Sequence, residues 1–239
     1  MKISWFSAGV SSFCATLLAK DVDRIVYTHI DDQHEDSMRF LRDSEAHFGQ
    51  KIEILGSRYG NVDSVIRAFR YVNGPGGAKC TDVLKRRVRK EFEAALPKNV
   101  TYVWGMDVEE KARADRLVES MPQYNHEFPL IDANMTKADC HGMAERMGIK
   151  RPAMYDMGYP NNNCIGCVKG GMGYWNMIRR DFPEVFAKRA ETERLIGRSC
   201  INGVFLDELN PDRGRTCEVM PDCSLFCELA MLGGVEGWV

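Results

Sequence analysis

The first part of the chain alternates short apolar runs, rich in β-branched and aromatic residues, with longer segments whose apolar residues recur at helical spacing. The predicted strands are residues 3–6, 24–29, 52–55, 101–104 and 126–130. The predicted helices are residues 13–20, 37–48, 62–71, 83–96 and 108–120. Because strands and helices take turns, the pattern predicts an α/β fold: an open, doubly wound, mainly parallel five-stranded sheet with helices on both faces.

The pattern changes at Thr136, after which no further strand is predicted. The expected elements are a helix over residues 137–147, a Pro/Gly/Asn-rich loop over 151–163, and helices over 174–182 and 183–196. A cysteine-containing tail follows over residues 197–239. We therefore expect an α/β core over residues 1–135, and a helical and irregular extension over residues 136–239 that packs on this core.

Composition and charge exclude several classes of protein. The chain has 239 residues, 44% hydrophobic and 28% charged, which is typical of a globular protein with one sizeable core. Its net charge of -2 gives no general attraction to nucleic acid, so charge does not support a nucleic-acid partner. No apolar leader or bilayer-spanning run is evident. We expect a cytoplasmic protein with no membrane partner, in an oligomeric state compatible with a homodimer.

The first strand-to-helix connection has the composition of a phosphate-binding loop. It consists of Ser7, Ala8, Gly9, Val10, Ser11 and Ser12. Small residues let the backbone approach an anion, and the serines offer hydroxyl donors at a helix N-terminus. The loop lacks the Gly-Lys-Ser/Thr of a Walker motif and the glycine spacing of a dinucleotide fingerprint. The alternative is an ordinary strand-to-helix turn with Ser12 as N-cap.

Nine cysteines in a reducing compartment point to buried thiols, metal ligands or reactive thiols rather than to disulfides. Cys14 lies in an apolar helical pattern and is expected in the core. Cys164 and Cys167 form a Cys-x-x-Cys turn, which suits a metal centre or a redox pair; their position after a long loop favours the metal. A zinc site made of cysteines is an alternative for the same ligands.

Basic residues are densest around the predicted helix over residues 83–96. They are Lys79, Lys85, Arg86, Arg87, Arg89 and Lys90. This stretch suits either an anion contact or a solvated helix face. Lys169 is the better single candidate for an anion contact, because Gly170 and Gly171 would let the backbone approach a ligand.

The order of several motifs resembles that in the PP-loop adenine-nucleotide superfamily, most closely its phosphoadenylyl sulfate reductase branch. Residues 7–12 resemble the motif Ser-x-Gly-x-x-Ser, with Ala8 and Ser11 in place of the glycine and aspartate of the stricter form. Asp107 stands where the family has an arginine. The other similar segments are residues 28–36, 105–113, 128–139, 155–160 with the turn 164–167, and 221–227.

The resemblance implies a binding site for ATP or an adenylyl sulfate, with Mg²⁺ as a candidate ion, on residues 7–12 together with Asp31 and Gly105. It also implies an iron-sulfur cluster of the 4Fe-4S type on Cys80, Cys164 and Cys167. The fourth ligand position is either open or filled from elsewhere, with Cys223 as the candidate.

The family's tail cysteine attacks a sulfonate, so Cys223, with Cys227 four residues later, is also a candidate catalytic thiol. We therefore expect an enzyme similar to phosphoadenylyl sulfate reductases or ATP-dependent sulfurtransferases. It would couple nucleotide binding to sulfur transfer or sulfonucleotide reduction, with a thiol or sulfur donor as partner. The alternative is a nucleotide-binding regulatory or assembly module with a structural metal site.

Overall fold

The structure is a computed structural model that describes residues 1–74 and 77–215, and it confirms the predicted α/β fold. Its strands are β1 Lys2–Phe6, β2 Arg24–His29, β3 Ile52–Gly56, β4 Thr101–Val103 and β5 Asn125–Glu127. They form one parallel sheet in the order β3-β2-β1-β4-β5. In the register of this sheet Ile3 lies opposite both Arg24 and Tyr102. The chain thus runs from β1 to one edge and then to the other, the winding of a doubly wound sheet.

The helices alternate with the strands and then continue beyond them. They are α1 Val10–Leu18, α2 Asp36–Phe48, α3 Val62–Phe69, α4 Lys79–Thr81, α5 Arg87–Glu93, α6 Lys111–Ser120, α7 Pro129–Asp132, α8 Lys137–Arg146, α9 Ala153–Asp156, α10 Met172–Asp181 and α11 Pro183–Ile196. A π-helical turn, Asp82–Arg86, joins α4 to α5, and 3₁₀ turns cover Val108–Glu110 and Leu206–Glu208.

Several predicted elements differ from the observed ones: the helix expected over residues 108–120 begins as a 3₁₀ turn, and α9 lies within the loop expected over residues 151–163. Two further differences have local reasons. The strand expected over residues 126–130 stops at Glu127, because Pro129 cannot donate to a strand ladder and instead begins α7. The single helix expected over residues 83–96 is a π-helical turn followed by α5. The Asp82 carboxylate accepts hydrogen bonds from Lys79, Arg86 and Arg87 at this turn.

The described chain forms two compact units. Unit 1 comprises Met1–His29, Glu35–Leu55 and Arg89–Asn162, and it contains the sheet apart from Gly56. Its core includes Phe6, Phe13 and Phe40, together with Cys14 and Cys140, which are both fully buried. This confirms the prediction that Cys14 is a core residue. Cys140 belongs to α8, so a helix from beyond Thr136 contributes to the same core as α1.

Unit 2 comprises Ile30–His34, Gly56–Val88 and Asn163–Val239. The structure describes all of these residues except 75–76 and 216–239. It contains α3, α4, α10 and α11. The Asp63 carboxylate on α3 is bonded to Arg67 and to Thr192 of α11, so a buried polar network joins these helices. Across residues 1–74 and 77–215, no helix is long and apolar enough to cross a membrane.

Candidate functional site

The loop between β1 and α1 is held in shape by hydrogen bonds between its own serines. Ser12 Oγ accepts a hydrogen bond from the Ser7 backbone N–H (3.1 Å) and another from the Ser7 hydroxyl (3.1 Å). It donates in turn to the Gly9 carbonyl oxygen (2.9 Å). Gly9 is the N-cap of α1, so the alternative in which Ser12 caps this helix is wrong. Gly9 has no side chain that could accept hydrogen bonds from the first backbone N–H groups of α1. These N–H groups are therefore suited to bind an anion.

Ala8 and Gly105 show how closely the backbone is packed around this loop. Ala8 has a φ of 57°, in the left-handed region that favours glycine, and its side chain is fully buried. A Cβ on Gly105 would lie 2.5 Å from the Cα of Ser12 and 2.7 Å from its backbone nitrogen. Only glycine lets the chain after β4 pass this close to α1. The structure therefore places Gly105, a predicted site residue, directly against the loop.

Asn162 contacts the same loop, although its sequence context did not identify it as a site residue. Its Nδ2 donates hydrogen bonds to the Ala8 carbonyl oxygen (2.7 Å) and to Ser37 Oγ (3.0 Å). The Asn162 side chain is 7% exposed, so these bonds are shielded from water. The run of three asparagines at residues 161–163 was the available signal, because buried amides are common where irregular backbone needs donors.

Tyr155 approaches the loop from the segment that resembles the family's Gly-Tyr-Pro turn. A Cβ on Gly9 would lie 3.1 Å from the Tyr155 hydroxyl. The Tyr155 ring packs edge-on against the ring of His141, with centroids 4.7 Å apart. Burial lowers the pKa of His141, which favours its neutral form in this packing. Gly9 therefore lies in a space that a larger residue would have to share with Tyr155.

The segment after β4 carries a capping carboxylate where the family has an arginine. Asp107 is 4% exposed, and its carboxylate accepts a hydrogen bond from the Glu109 backbone N–H (3.0 Å). Arg113 pairs with Glu110 on the same short segment. Asp107 thus stabilises the 3₁₀ turn that leads into α6.

In unit 2, the acidic segment after β2 is bound to the backbone around Gly60. The Asp31 N–H donates to the Gly60 carbonyl oxygen (3.1 Å), and the Asp31 carboxylate occupies the space that a Gly60 side chain would need. The neighbouring Asp32 carboxylate accepts from the Val62 N–H (2.6 Å), and burial raises the pKa of Asp32. A nucleotide contact by Asp31 remains a prediction.

The same acidic segment supports the Cys-x-x-Cys turn. The Ile165 N–H donates to the Asp32 carbonyl oxygen (2.8 Å). The Tyr174 hydroxyl accepts from the Cys167 N–H (2.9 Å) and donates to the Cys164 carbonyl oxygen (3.1 Å). Tyr174 therefore fixes both ends of the turn, a role that its sequence pattern does not reveal.

The three predicted cluster ligands of the described chain line one pocket in unit 2. This thiol pocket has a volume of about 280 Å³, including space open to solvent. Its lining residues are Ile30, Val62, Cys80, Thr81, Lys85, Cys164, Cys167 and Val168. Cys164 and Cys167 are each 5% exposed, whereas Cys80 is half-buried. The structure thus brings Cys80 to the same pocket as Cys164 and Cys167, which lie far along the sequence from it.

The donor chemistry of this pocket fits a thiolate-held metal centre, because cysteine sulfur is the usual ligand of iron-sulfur clusters and of structural zinc. Within residues 1–74 and 77–215, however, no three or more His, Cys, Asp or Glu side chains are arranged to hold an ion as they stand. Metal binding would therefore have to draw the thiols closer, as expected where ligand binding and loop folding are coupled.

Lys85, not Lys169, is the lysine that lines the thiol pocket. Lys169 is half-buried, and its role as an anion contact remains a prediction. Cys200, which the sequence did not single out, is also buried in unit 2, and its N–H donates to the Glu193 carboxylate (2.5 Å). Burial, reinforced by Glu193, raises the pKa of Cys200 and keeps it a neutral thiol.

The tail candidates Cys223 and Cys227 lie outside the described residues, so their predicted catalytic role and the predicted metal role of Cys223 stay predictions. Models of known protein families give no match to this chain. Curated proteins give no match either. Family and function therefore rest on the residues themselves.

Proposed function

We propose that this chain is an enzyme of the PP-loop type that couples binding of ATP or an adenylyl sulfate to sulfur transfer or sulfonucleotide reduction. The observation that carries this proposal is the loop over residues 7–12. It joins a central strand of a parallel sheet to a helix whose N-cap is Gly9, and ligands of such sheets bind beyond the carboxyl ends of the strands. The close approach of Gly105 gives the loop a fixed shape.

The loop residues would bind the nucleotide's phosphates through backbone N–H groups. The first turn of α1 directs N–H groups towards the loop, and the helix dipole favours negative charge there. If the enzyme adenylates its substrate, pyrophosphate leaves as negative charge grows on its oxygens, and fixed N–H donors stabilise that charge. Mg²⁺ is a candidate partner of the phosphates.

Cys80, Cys164 and Cys167 would hold an iron-sulfur cluster of the 4Fe-4S type, because three thiols line one pocket. When bound, such a cluster supplies a redox centre or a binding position for sulfur. The chain's own contribution is to orient the Cys-x-x-Cys turn through Tyr174. Zinc is the alternative ion for the same thiols, and iron and zinc contents of anaerobically purified protein decide between them.

A thiol or sulfur donor would complete the reaction, with Cys223 or Cys227 as the attacking thiolate. Attack needs a thiol that is reduced and can ionise, and a reducing compartment keeps cysteines in the reduced form. We therefore place the protein in the cytoplasm, with an adenine nucleotide and a sulfur donor as partners and without a membrane partner.

A second candidate function is a nucleotide-binding regulatory or assembly module with a structural metal site. Asp107 favours it, because this carboxylate caps a 3₁₀ turn at the position where the family that the motifs resemble has an arginine. Incubation with labelled ATP or phosphoadenylyl sulfate and a thiol reductant separates the two functions. An enzyme converts the nucleotide, whereas a binding module returns it unaltered.

The nucleotide site itself is tested by Gly9→Val. Its branched side chain would meet the Tyr155 hydroxyl and Ser7 Oγ, so we expect ATP binding to be abolished while the fold is kept. Unchanged affinity for ATP in a calorimetric titration would overturn the site assignment.

A further inference from the structure

The thiols of Cys14 and Cys140 meet in the core of unit 1, between α1 and α8. Cys14 Sγ donates a hydrogen bond to the Cys140 carbonyl oxygen (3.4 Å), and both residues are fully buried. The two thiols are also hydrogen-bonded to each other, and neither is in a disulfide. Two thiols in contact across two helices are the arrangement that a disulfide needs, because the bond joins only cysteines whose side chains face each other.

This contact makes the two thiols unequal in acidity. The hydrogen bond from Cys14, supported by a weaker one with Ser11, lowers the pKa of Cys140, although burial and the Asp107 carboxylate oppose this. The same thiol contact, together with burial, raises the pKa of Cys14. A thiol with a lowered pKa carries more thiolate, the form that attacks oxidants. Cys140 is therefore the nucleophile of the pair, and Cys14 is the thiol that completes a bond.

The pair lies directly beside the loop over residues 7–12. Ser11, a loop residue in the first turn of α1, is hydrogen-bonded to the Cys140 thiol and is 7% exposed. Cys14 follows on the same helix. Because protein cores are close-packed and transmit strain, a shift of α1 against α8 also moves Ser11 and the first N–H groups of α1. A covalent bond between the two thiols would therefore act on the groups suited to bind phosphate.

We propose that Cys14 and Cys140 form a reversible disulfide that lowers nucleotide affinity by drawing α1 and α8 together. The bond between two sulfurs is shorter than the hydrogen-bonded contact that it replaces, so the two helices must move. Oxidation requires a local opening of α8, since both thiols are fully buried. The effect on nucleotide binding rests on the proposed function, whereas the disulfide itself does not.

The oxidant is a peroxide. The Cys140 thiolate attacks one oxygen of hydrogen peroxide, the O–O bond breaks, and with one proton the products are a sulfenic acid and water. The Cys14 thiol then attacks the sulfenic sulfur, so that the S–S bond forms and the hydroxyl leaves as water with the proton from Cys14. The two thiols lose two electrons, which reduce the peroxide. A dithiol reductant restores both thiols by exchange and itself becomes a disulfide.

The test uses the full chain, purified anaerobically and desalted free of reductant. One portion is kept reduced, one is treated with hydrogen peroxide, and one is treated and then reduced again with dithiothreitol. Free thiols are alkylated, and mass spectrometry of the digested protein identifies linked peptides. In oxidised wild type we expect a peptide that joins Cys14 to Cys140, and a Kd for ATP about tenfold weaker than in the reduced protein. Dithiothreitol should reverse both changes.

Two alanine variants separate this pair from the other cysteines. Cys14→Ala keeps every cysteine of the thiol pocket but cannot form the bond, so peroxide should leave its ATP affinity unchanged. Cys200→Ala removes a different buried thiol, one of unit 2. It should still form the linked peptide and lose ATP affinity as wild type does. If Cys14→Ala proves insoluble, Cys140→Ala takes its place with the same expectation.

Each outcome decides one point. Oxidised wild type without the linked peptide overturns the inference and leaves the nucleotide site standing, as does a loss of ATP affinity that is equal in Cys14→Ala and wild type. A linked peptide with unchanged ATP affinity overturns the control of the loop by this bond. Reduced wild type that does not bind ATP overturns the proposed nucleotide site, and the control of the loop falls with it.

Discussion

The Asn162 side chain donates a 2.7 Å hydrogen bond to the carbonyl oxygen of Ala8, and so joins two residues 154 positions apart. Ala8 needs such support because its φ of 57° is unfavourable for any residue with a Cβ. The second bond of the same amide, to Ser37 Oγ, ties the loop to α2. A residue far along the chain thus fixes the conformation of the loop over residues 7–12.

Asn162→Asp tests this support, because aspartate keeps the size of the side chain but has no amide donor. We expect the free energy of unfolding to fall by about 1–3 kcal/mol, as for a buried hydrogen bond that loses its donor. Urea denaturation measures it. Asn125→Ala, at an exposed position, is the control and should change stability by less than about 0.5 kcal/mol. Equal stability of wild type and Asn162→Asp would contradict the role.

Ala8→Gly tests the backbone strain at the second residue of the loop over residues 7–12. Removing the Cβ relieves about 1–2 kcal/mol of left-handed strain, which offsets about 0.8 kcal/mol lost with the buried methyl group. We expect the variant to be at least as stable as wild type. Ala15→Gly, equally buried but inside α1, should instead lose about 2 kcal/mol of stability. Similar losses in both variants would show that Ala8 is unstrained.

Gly105→Ala tests the close approach of the β4 end to the loop. The added Cβ would lie 2.5 Å from Ser12 Cα, so the loop must move and nucleotide affinity should fall about tenfold or more. Calorimetric titration with ATP measures this loss. Gly56→Ala is the matched control, since a Cβ there meets no atom within 4 Å. Equal ATP affinity in both variants would show that Gly105 does not influence nucleotide binding.

Periodicity predicts the sheet well, because each strand is a short buried run between turn residues. Residues 24–29 and 183–196 were predicted with the bounds that the structure shows. The thiol pocket is less accessible to sequence reasoning. The Cys-x-x-Cys spacing identifies Cys164 and Cys167, whereas Cys80 was grouped with them only through the family resemblance, and the structure places all three around one pocket.

Residues that contact unrelated segments carried little local signal beyond the run of asparagines at residues 161–163. Asn162 bonds to a residue 154 positions earlier, and Tyr174 fixes the cysteine turn through its hydroxyl although its aromatic ring suggests packing. Lys85 lies in the stretch over residues 83–96, whose spacing predicts one regular helix. The structure instead has a π-helical turn there, at which Asp82 binds its basic neighbours, a set of contacts that periodicity does not encode.

Asp82 should make stability depend on pH. Burial alone would raise the pKa of Asp82, but hydrogen bonds from Lys79, Arg86 and Arg87 outweigh burial and lower it. Because the folded-state pKa lies below the unfolded value of about 4, the carboxylate stabilises the fold above that pH, and this contribution is lost as the pH falls further. Asp82→Asn should therefore cost about 1–2 kcal/mol at neutral pH and progressively less below about pH 4.

Urea denaturation of wild type and Asp82→Asn at several pH values measures this difference. Asp212→Asn, at an exposed position, serves as the control and should show no comparable loss at neutral pH. A difference between wild type and Asp82→Asn that stays constant from neutral to acid pH would mean that the carboxylate's charge does not hold the turn.

The thiol pocket predicts which cysteines hold metal. Serine in place of Cys80, Cys164 or Cys167 should remove most of the bound iron, because all three cysteines line one pocket. A metal centre that lacks one of its thiolate ligands is bound more weakly. Iron analysis and the absorption spectrum of anaerobically purified variants measure the loss. Each variant should also unfold at lower temperature, since metal binding and folding of the surrounding loops are coupled.

Cys14→Ala is the matched control, because Cys14 is fully buried in the core of unit 1 and its thiol donates to the Cys140 carbonyl oxygen (3.4 Å). Its loss should cost about 1 kcal/mol of packing and leave the iron content unchanged.

Cys223→Ser then separates two roles: loss of iron identifies a ligand, whereas iron retained with turnover lost identifies a nucleophile. Full iron and full turnover in Cys223→Ser would exclude both roles and move the test to Cys227. Full iron in all three pocket variants would instead place the metal, if any is bound, on other residues.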